Sequence, residues 1–260
     1  MPPSEHVVLT VLTVSLAFSL VLYACVKRRL TIVAFLGTTV LGVLILLFLG
    51  LRVGYAGLLV LLTFFLLGTL VTRYKYEKKA RLGVAEGNRG MRDIRNVLGN
   101  GLSPLIFATL YAASSQAYHT LFLLGFSGAV ATACADTFST EIGQAEGIPR
   151  LITTFERVPV GTNGGVSLPG FGAALLGSFA IALASLIFIG SGLSSEPRII
   201  LFLICLVSGF LGCVADSYLG ATVEDRNPLY LNKHHVNFLA TLSGGAIAMM
   251  LGSSLGARIY

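Results

Sequence analysis

The sequence predicts an all-α, polytopic membrane protein with about eight transmembrane helices, within a range of six to eight. Three observations carry that expectation. Of 260 residues, 55% are hydrophobic and 12% charged, and the mean hydropathy is +0.83; so few charges cannot cover a soluble fold of this size. Runs without an ionisable side chain recur at about 7–26, 30–49, 53–71, 102–118, 120–135, 169–190, 199–215 and 236–256. Most are near the roughly 20 residues that cross a bilayer as helix. The charged, amide and glycine-rich stretches fall between these runs.

Each run has its own boundary signals. The first follows MPPSEH, which has no basic leader, and closes on Lys27, Arg28 and Arg29. That pattern suits an anchor with its N-terminus outside, not a cleaved signal, and there is no Ser/Arg-rich transit leader. The second and third runs are parted at Arg52, and the basic segment 72–101 precedes the fourth. The fifth, 120–135, is short; if it does not cross fully, 102–135 becomes a re-entrant pair and the count falls to six or seven. The sixth starts at Pro169, the seventh runs into Asp216, and the eighth follows the His234–His235 pair.

Charge sets the orientation. Of 18 Lys and Arg, fifteen lie in 27–29, 72–96, 136–168 and 216–235 and three in the alternate connections, which puts those four segments in the cytoplasm. The segments 72–101, 136–168 and 216–235 therefore share one face. The net charge of +6 belongs mostly to that face and suits anionic lipid. No basic soluble domain is present to bind nucleic acid. Cys25, Cys134, Cys205 and Cys213 lack metal-ligand spacing and read as small buried hydrophobes, and the four histidines form no HExxH pattern.

Two acidic motifs stand out. The fifth run leads into ACADTFSTEIG (133–143) and the seventh into GCVADSYLGAT (212–222). Both read Ala-Asp, hydroxyl, aromatic, and both follow Gly-Phe-x-Gly. Alone, an aspartate at a helix end is usually a cap or a solvated charge. Two on one membrane face differ, because paired carboxylates repel unless a cation lies between them. Mg²⁺ held by one or two carboxylates plus phosphate oxygens is the common resolution, with Asp136 and Asp216 as ligands. Glu141 joins as a third ligand only if the helix has ended, since on a continuing helix it lies about 140° from Asp136.

The segment GTNGGVS (161–167) fits beside these acids. Gly161, Gly164 and Gly165 let backbone N–H groups turn toward an anion, while Thr162, Asn163 and Ser167 add neutral donors, a cradle for a polyphosphate. Its bland alternative is a turn before a helix, punctuated by Pro159 and Pro169. GxxxxGK[ST] is absent, so it is no Walker A. Positive charge then comes from the 72–101 segment and from Arg157; Lys79, Arg89, Arg92 and Arg157 are the candidates to neutralise phosphates, as phosphoryl transfer needs.

The blocks KKARLGVAEGNRG, NVLGNG, ADTFSTEIG, PRLITTFERVPVGTNGGVS, GCVADSYLGAT and HHVNFLATLSGG, in this order, resemble the DUF92 or TMEM19-like family of membrane proteins, whose plant members include a phytyl-phosphate kinase. The likeness covers roughly 72–250; residues 1–71 match only as hydrophobic spans. The ADTFSTEIG and GTNGGVS pair is more distantly similar to CTP-dependent polyprenol kinases. The resemblance implies an isoprenoid-monophosphate kinase that passes a phosphoryl group from a nucleoside triphosphate, with CTP favoured, to a prenyl monophosphate. On it, residues 1–71 are N-terminal transmembrane helices and 72–260 a catalytic membrane domain, in one integral unit. Asn100 and Asn237 join the site as polar contacts near helix ends, and Asp136, Asp216, Arg157 and Lys79 serve catalysis. A CTP-dependent lipid-phosphate cytidylyltransferase would use the same groups, and a transporter or a scaffold are further alternatives. The expected location is a prokaryotic plasma membrane with the site facing the cytoplasm. Prenyl length, nucleotide base and oligomeric state stay open.

Overall fold

The computed structural model describes residues 3–190, 198–225 and 230–255. Its long helices are α1 (Pro3–Val26), α2 (Ile32–Arg73), α5 (Ile94–Ala113), α6 (His119–Glu146), α7 (Leu168–Ser185), α9 (Arg198–Thr222) and α10 (Lys233–Ser254). Short helices α3 (Tyr76–Arg81), α4 (Gly87–Gly90) and α8 (Ile187–Gly190) lie between them. The sheet among the described residues is one antiparallel pair, β1 (Arg150–Leu151) with β2 (Gly165–Val166).

Six of the described helices are long and apolar enough to cross a membrane. One of them, α2, accounts for two crossings. Its 42 residues would reach about 63 Å as a straight helix, twice the hydrocarbon thickness. The chain instead breaks at Gly50, with φ 70° and ψ 173°, a left-handed φ that glycine adopts without steric cost. The halves fold back on each other, with Gly42 against Leu58, Gly54 against Leu46 and Gly57 against Leu49. Helix α5 contains Pro104 and has a more polar first half, yet packs among α2, α6 and α10. Among the described residues the bundle therefore holds eight long helical passes, one for each hydrophobic run.

Their bounds differ from the runs in an instructive way. The fifth run is no re-entrant segment, because α6 continues through the polar residues to Glu146, 28 residues in all. Helix α9 likewise continues past Asp216 to Thr222, and α5 begins at Ile94 behind an Asp93–Asn96 capping box. Hydropathy finds where a helix is apolar; intrahelical hydrogen bonds let it continue past the apolar part.

Helix α6 is central, packing on α7, α9, α10, α5 and α2. Small residues make this close approach possible, as helices in lipid associate by packing and not by a hydrophobic force. A side chain on Gly212 of α9 or on Gly244 of α10 would collide with Thr132 of α6. One on Gly177 of α7 would come within 2.8 Å of the Cys134 carbonyl. Gly172, by contrast, faces open space. All four cysteines are free, and Cys134, Cys205 and Cys213 are buried as expected.

This packing predicts a contrast. Gly244→Leu should lower stability in detergent by about 1–3 kcal/mol, the usual range for overpacking, whereas Gly172→Leu should leave it within about 0.5 kcal/mol. Thermal unfolding followed by circular dichroism measures both, and equal melting temperatures for the two variants would contradict the α6–α10 contact.

Candidate functional site

The three polar segments converge at one end of the bundle. Lys75 Nζ pairs with Glu146 at 2.6 Å, and Lys78 Nζ donates to the Ala145 carbonyl, tying α3 to the end of α6. Lys233 Nζ reaches Glu86 Oε2 at 3.4 Å, and Asn163 Nδ2 donates to Asp225 Oδ2 at 3.4 Å. Between these segments lies a cavity of about 190 Å³, walled by α6, α9, the start of α10 and the 160–167 turn.

Asp136 and Asp216 both line this cavity. The Gly209 and Gly212 contacts bring α9 alongside α6 in the same direction, with Gly209 at Ala131 and Gly212 at Thr132. Four residues further on, that register brings Asp136 and Asp216 to neighbouring positions on the wall of one cavity. The Thr140 hydroxyl donates to Asp136 Oδ1 at 3.5 Å, and Ser139 and Ser217 also line the wall. Asp216 Oδ1 is buried without a hydrogen-bond partner. Two facing carboxylates with an orphaned oxygen and adjacent hydroxyls suit a divalent cation; such a pair supplies as many protein ligands as Mg²⁺ takes when phosphates complete its shell. Among the described residues, no group of three His, Cys, Asp or Glu gathers as a fuller metal cage.

Gly161, Thr162, Asn163, Gly164, Gly165 and Ser167 line the same cavity. The turn spends some donors on itself: Thr162 N–H bonds to the Pro159 carbonyl and Gly165 N–H to the Thr162 carbonyl. The amides of Gly161, Asn163 and Gly164 have no hydrogen bond among the described residues. Two glycines have structural reasons as well. Gly161 and Gly164 have φ of 90° and 75°, and a side chain on Gly164 would strike the backbone of Ala221 at the end of α9. Ser167 caps α7, its hydroxyl accepting from Gly170 N–H at 3.2 Å. Asn237, buried on α10, completes this wall.

The expected cations lie elsewhere. Lys79 is fully buried and pairs with Glu141, its ammonium also donating to the Thr72 carbonyl at 3.0 Å. Neither residue lines the cavity, because α6 does not end before Glu141 and carries it to another face. Arg89 and Arg157 are exposed, Arg89 on α4 and Arg157 opposite Arg150. Arg92 precedes α5, bridged to Leu30, so Arg92 and Arg95 do not share a helical face. Arg92 and Asn100 face a second, apolar cavity.

The cation at the Asp136–Asp216 cavity is Lys233, in the first turn of α10 behind the Asn232 cap. It is the sole lysine beyond residue 79 in the sequence, a signal easily lost beside the His pair. His235 belongs to that cap, its Nδ1 accepting from Asn232 N–H at 3.3 Å. Glu224 is the third carboxylate on the wall. Burial, then the neighbouring Asp225, pushes its carboxyl up to about 7. Three acids and one ammonium leave the cavity short of positive charge, so a polyphosphate entering it needs a cation as companion.

A helical bundle in the membrane, with an acidic and glycine-lined cavity at one end, defines a multi-pass integral membrane protein with a polar site. The chain belongs to the DUF92 family: the family model described as integral membrane protein DUF92 matches residues 15–246. That match begins midway along α1 and takes in α2, further toward the N-terminus than the motif blocks reach. An uncharacterized membrane protein of Methanocaldococcus jannaschii is 37% identical over 222 residues, 85% of this chain and 84% of that one. Protein VTE6, chloroplastic, of Arabidopsis thaliana is 34% identical over 202 residues, 76% of this chain and 59% of that one. An uncharacterized membrane protein of Synechocystis is 35% identical over 224 residues, 86% and 83% of the two chains. No solved structure matches.

Two predictions follow from this geometry. Lys79→Met should destabilise the protein by about 3–5 kcal/mol, because it strands a buried carboxylate, and adding Glu141→Leu should restore most of that loss; thermal unfolding of both variants measures the difference. Glu224 gives a pH signature. Its folded-state value near 7 exceeds the ordinary 4.5, so the folded protein binds more protons in that window. Its contribution to stability is full below the window and falls as pH rises through it to about 7. Melting temperatures of wild type and Glu224→Gln between pH 4 and 8 should diverge across that window, the variant lacking this component of the decline.

Proposed function

We propose that the protein is an isoprenoid-monophosphate kinase, using a nucleoside triphosphate, with CTP favoured, and Mg²⁺. The observation that carries this reading is the meeting, in one cavity, of two facing carboxylates, a glycine turn with unengaged amides and the Lys233 ammonium. The DUF92 resemblance implies the same chemistry. Asp136 and Asp216 would hold the metal, which supplies positive charge to the nucleotide phosphates. The 161–167 turn receives the phosphate chain through the amides of Gly161, Asn163 and Gly164, with Asn237 as a neutral contact; the Thr162 hydroxyl is already spent on the Pro159 carbonyl at 2.8 Å. Lys233 neutralises charge that gathers on the transferring group.

The reaction needs little else from the protein. An oxygen of the prenyl monophosphate bonds to the γ-phosphorus, and the bond from that phosphorus to the β-phosphate bridging oxygen breaks. The products are a prenyl diphosphate and a nucleoside diphosphate. The attacking oxygen is already anionic, so no side chain has to remove a proton. A site of carboxylates, amides and one lysine, without a histidine on its wall, suits that requirement. The membrane provides the acceptor and the cytoplasm the nucleotide, which favours a cytoplasmic orientation for this end, in a prokaryotic plasma membrane.

The test is an assay of purified protein with Mg²⁺, geranylgeranyl or phytyl monophosphate and each γ-labelled nucleotide, following label into lipid. Label in a prenyl diphosphate is expected, with Asp136→Asn and Asp216→Asn each losing at least about a hundredfold in turnover and Lys233→Gln about tenfold or more. Pyrophosphate release from CTP with a CDP-lipid product would make the protein a cytidylyltransferase. Absence of nucleotide binding would end both readings and direct the search to transport.

A further inference from the structure

The second cavity, about 250 Å³, runs between α1, both halves of α2 and α5. Its walls are apolar, with Val14 and Phe18 of α1 facing Leu46, Leu58 and Leu62 of α2. One end is different. Arg92, Asn96 and Asn100 gather there, the two asparagines one turn apart on α5.

These polar groups lack the partners that buried groups require. The Arg92 guanidinium lies against Gly68 and 5.3 Å from the Phe64 ring centroid, with no side-chain hydrogen bond or ion pair among the described residues. Asn100 is 8% exposed; its amide donates to the Asn96 carbonyl at 3.2 Å, and its Oδ1 is buried without a partner. A guanidinium and an amide left open at the mouth of an apolar channel match an anionic head on an apolar chain. Asn100 Oδ1 can accept the proton that a monophosphate still partly carries, its second pKa being about 6.

This polar end is wired to the first cavity. Asn96 Nδ2 donates to Glu86 Oε1 at 3.2 Å, and Lys233 Nζ reaches Glu86 Oε2 at 3.4 Å. One carboxylate thus bridges the head of the groove and the lysine of the acidic cavity. Helix α1, whose principal packing partner is α2, is the wall between groove and bilayer.

We infer that this groove seats the acceptor: a single-chain lipid monophosphate, its isoprenoid tail between α1, α2 and α5 and its phosphate on Arg92, Asn96 and Asn100, beside Glu86 and Lys233. The isoprenoid identity of the tail and its being a single chain rest on the proposed kinase function; the anionic head rests on the groove itself.

The experiment is equilibrium binding of radiolabelled geranylgeranyl monophosphate and of geranylgeraniol to the full chain in detergent, without nucleotide. Arg92→Gln should weaken the monophosphate about ten- to hundredfold and leave geranylgeraniol within about twofold. Gly42→Phe, filling the channel, should weaken both lipids, while Mg²⁺–nucleotide binding persists in each variant. Unchanged monophosphate affinity in Arg92→Gln, or displacement by two-chain phosphatidate as readily as by unlabelled geranylgeranyl monophosphate, would overturn the assignment. Gly42→Phe decides the matter if Arg92→Gln does not fold: full affinity for both lipids there also overturns it. Arg92-dependent lipid binding without phosphoryl transfer would refute the kinase and leave the groove standing; transfer undiminished in Arg92→Gln would do the reverse.

Discussion

The arrangement of this protein hangs on the contact of Thr132 in α6 with Gly212 of α9 and Gly244 of α10. Within a membrane, neighbouring helices gain nothing from hiding apolar surface from lipid, so close backbone approach has to hold them. Thr132 spends its hydroxyl on the Gly128 carbonyl one turn back, leaving no unsatisfied group at the crossing. With α9 fixed parallel to α6 at that point, Asp136 and Asp216 arrive at the same level one turn later. The acidic pair is therefore a consequence of helix packing higher in the bundle, and its geometry is as rigid as that packing.

The charged end of the bundle performs two kinds of work, and charge alone does not separate them. Lys79 and Glu141 neutralise each other in the interior, while Lys75 and Lys78 clamp the end of α6. A cation already engaged by a buried carboxylate cannot also receive a phosphate without stranding its partner. Lys233 and Arg92 differ. Lys233 is half-exposed with a long, single contact to Glu86, and Arg92 has no acceptor among the described residues. Those two are the cations that line the two cavities, and Glu86 stands between Lys233 and the Asn96 beside Arg92.

Much of the fold was legible in the sequence because each hydrophobic run corresponds to one helical pass, and even the fold-back of α2 falls in the gap between two runs. The acidic pair and glycine turn were legible for a similar reason: Ala-Asp motifs at the ends of two runs entering the same face have few places to go. What hydropathy could not give was where helices end. The extension of α6 to Glu146 turned Glu141 away from Asp136, and the early start of α5 carried Asn96 and Asn100 into the groove. Nor could residue type tell the engaged lysine at 79 from the available one at 233, since that depends on a partner 62 residues away in one case and 147 in the other.

The position of Lys233 has a further consequence. It sits in the first turn of α10, where the helix dipole disfavours a cation, and Asn232 has already taken the hydrogen bonds of the His234 and His235 amides. A stabilising residue there would be acidic. Glu86 offsets the misplacement in part, yet Glu86 also accepts from Asn96. An anion between Lys233 and the α10 N-terminus would relieve the same mismatch more fully, and on the proposed function the transferring phosphoryl group is that anion. The acidic pair across the cavity has the opposite want, a cation. A metal–polyphosphate complex answers both at once, whereas a bare anion or a bare metal would answer one and aggravate the other. That reciprocity is why the cavity reads as a site for the complex.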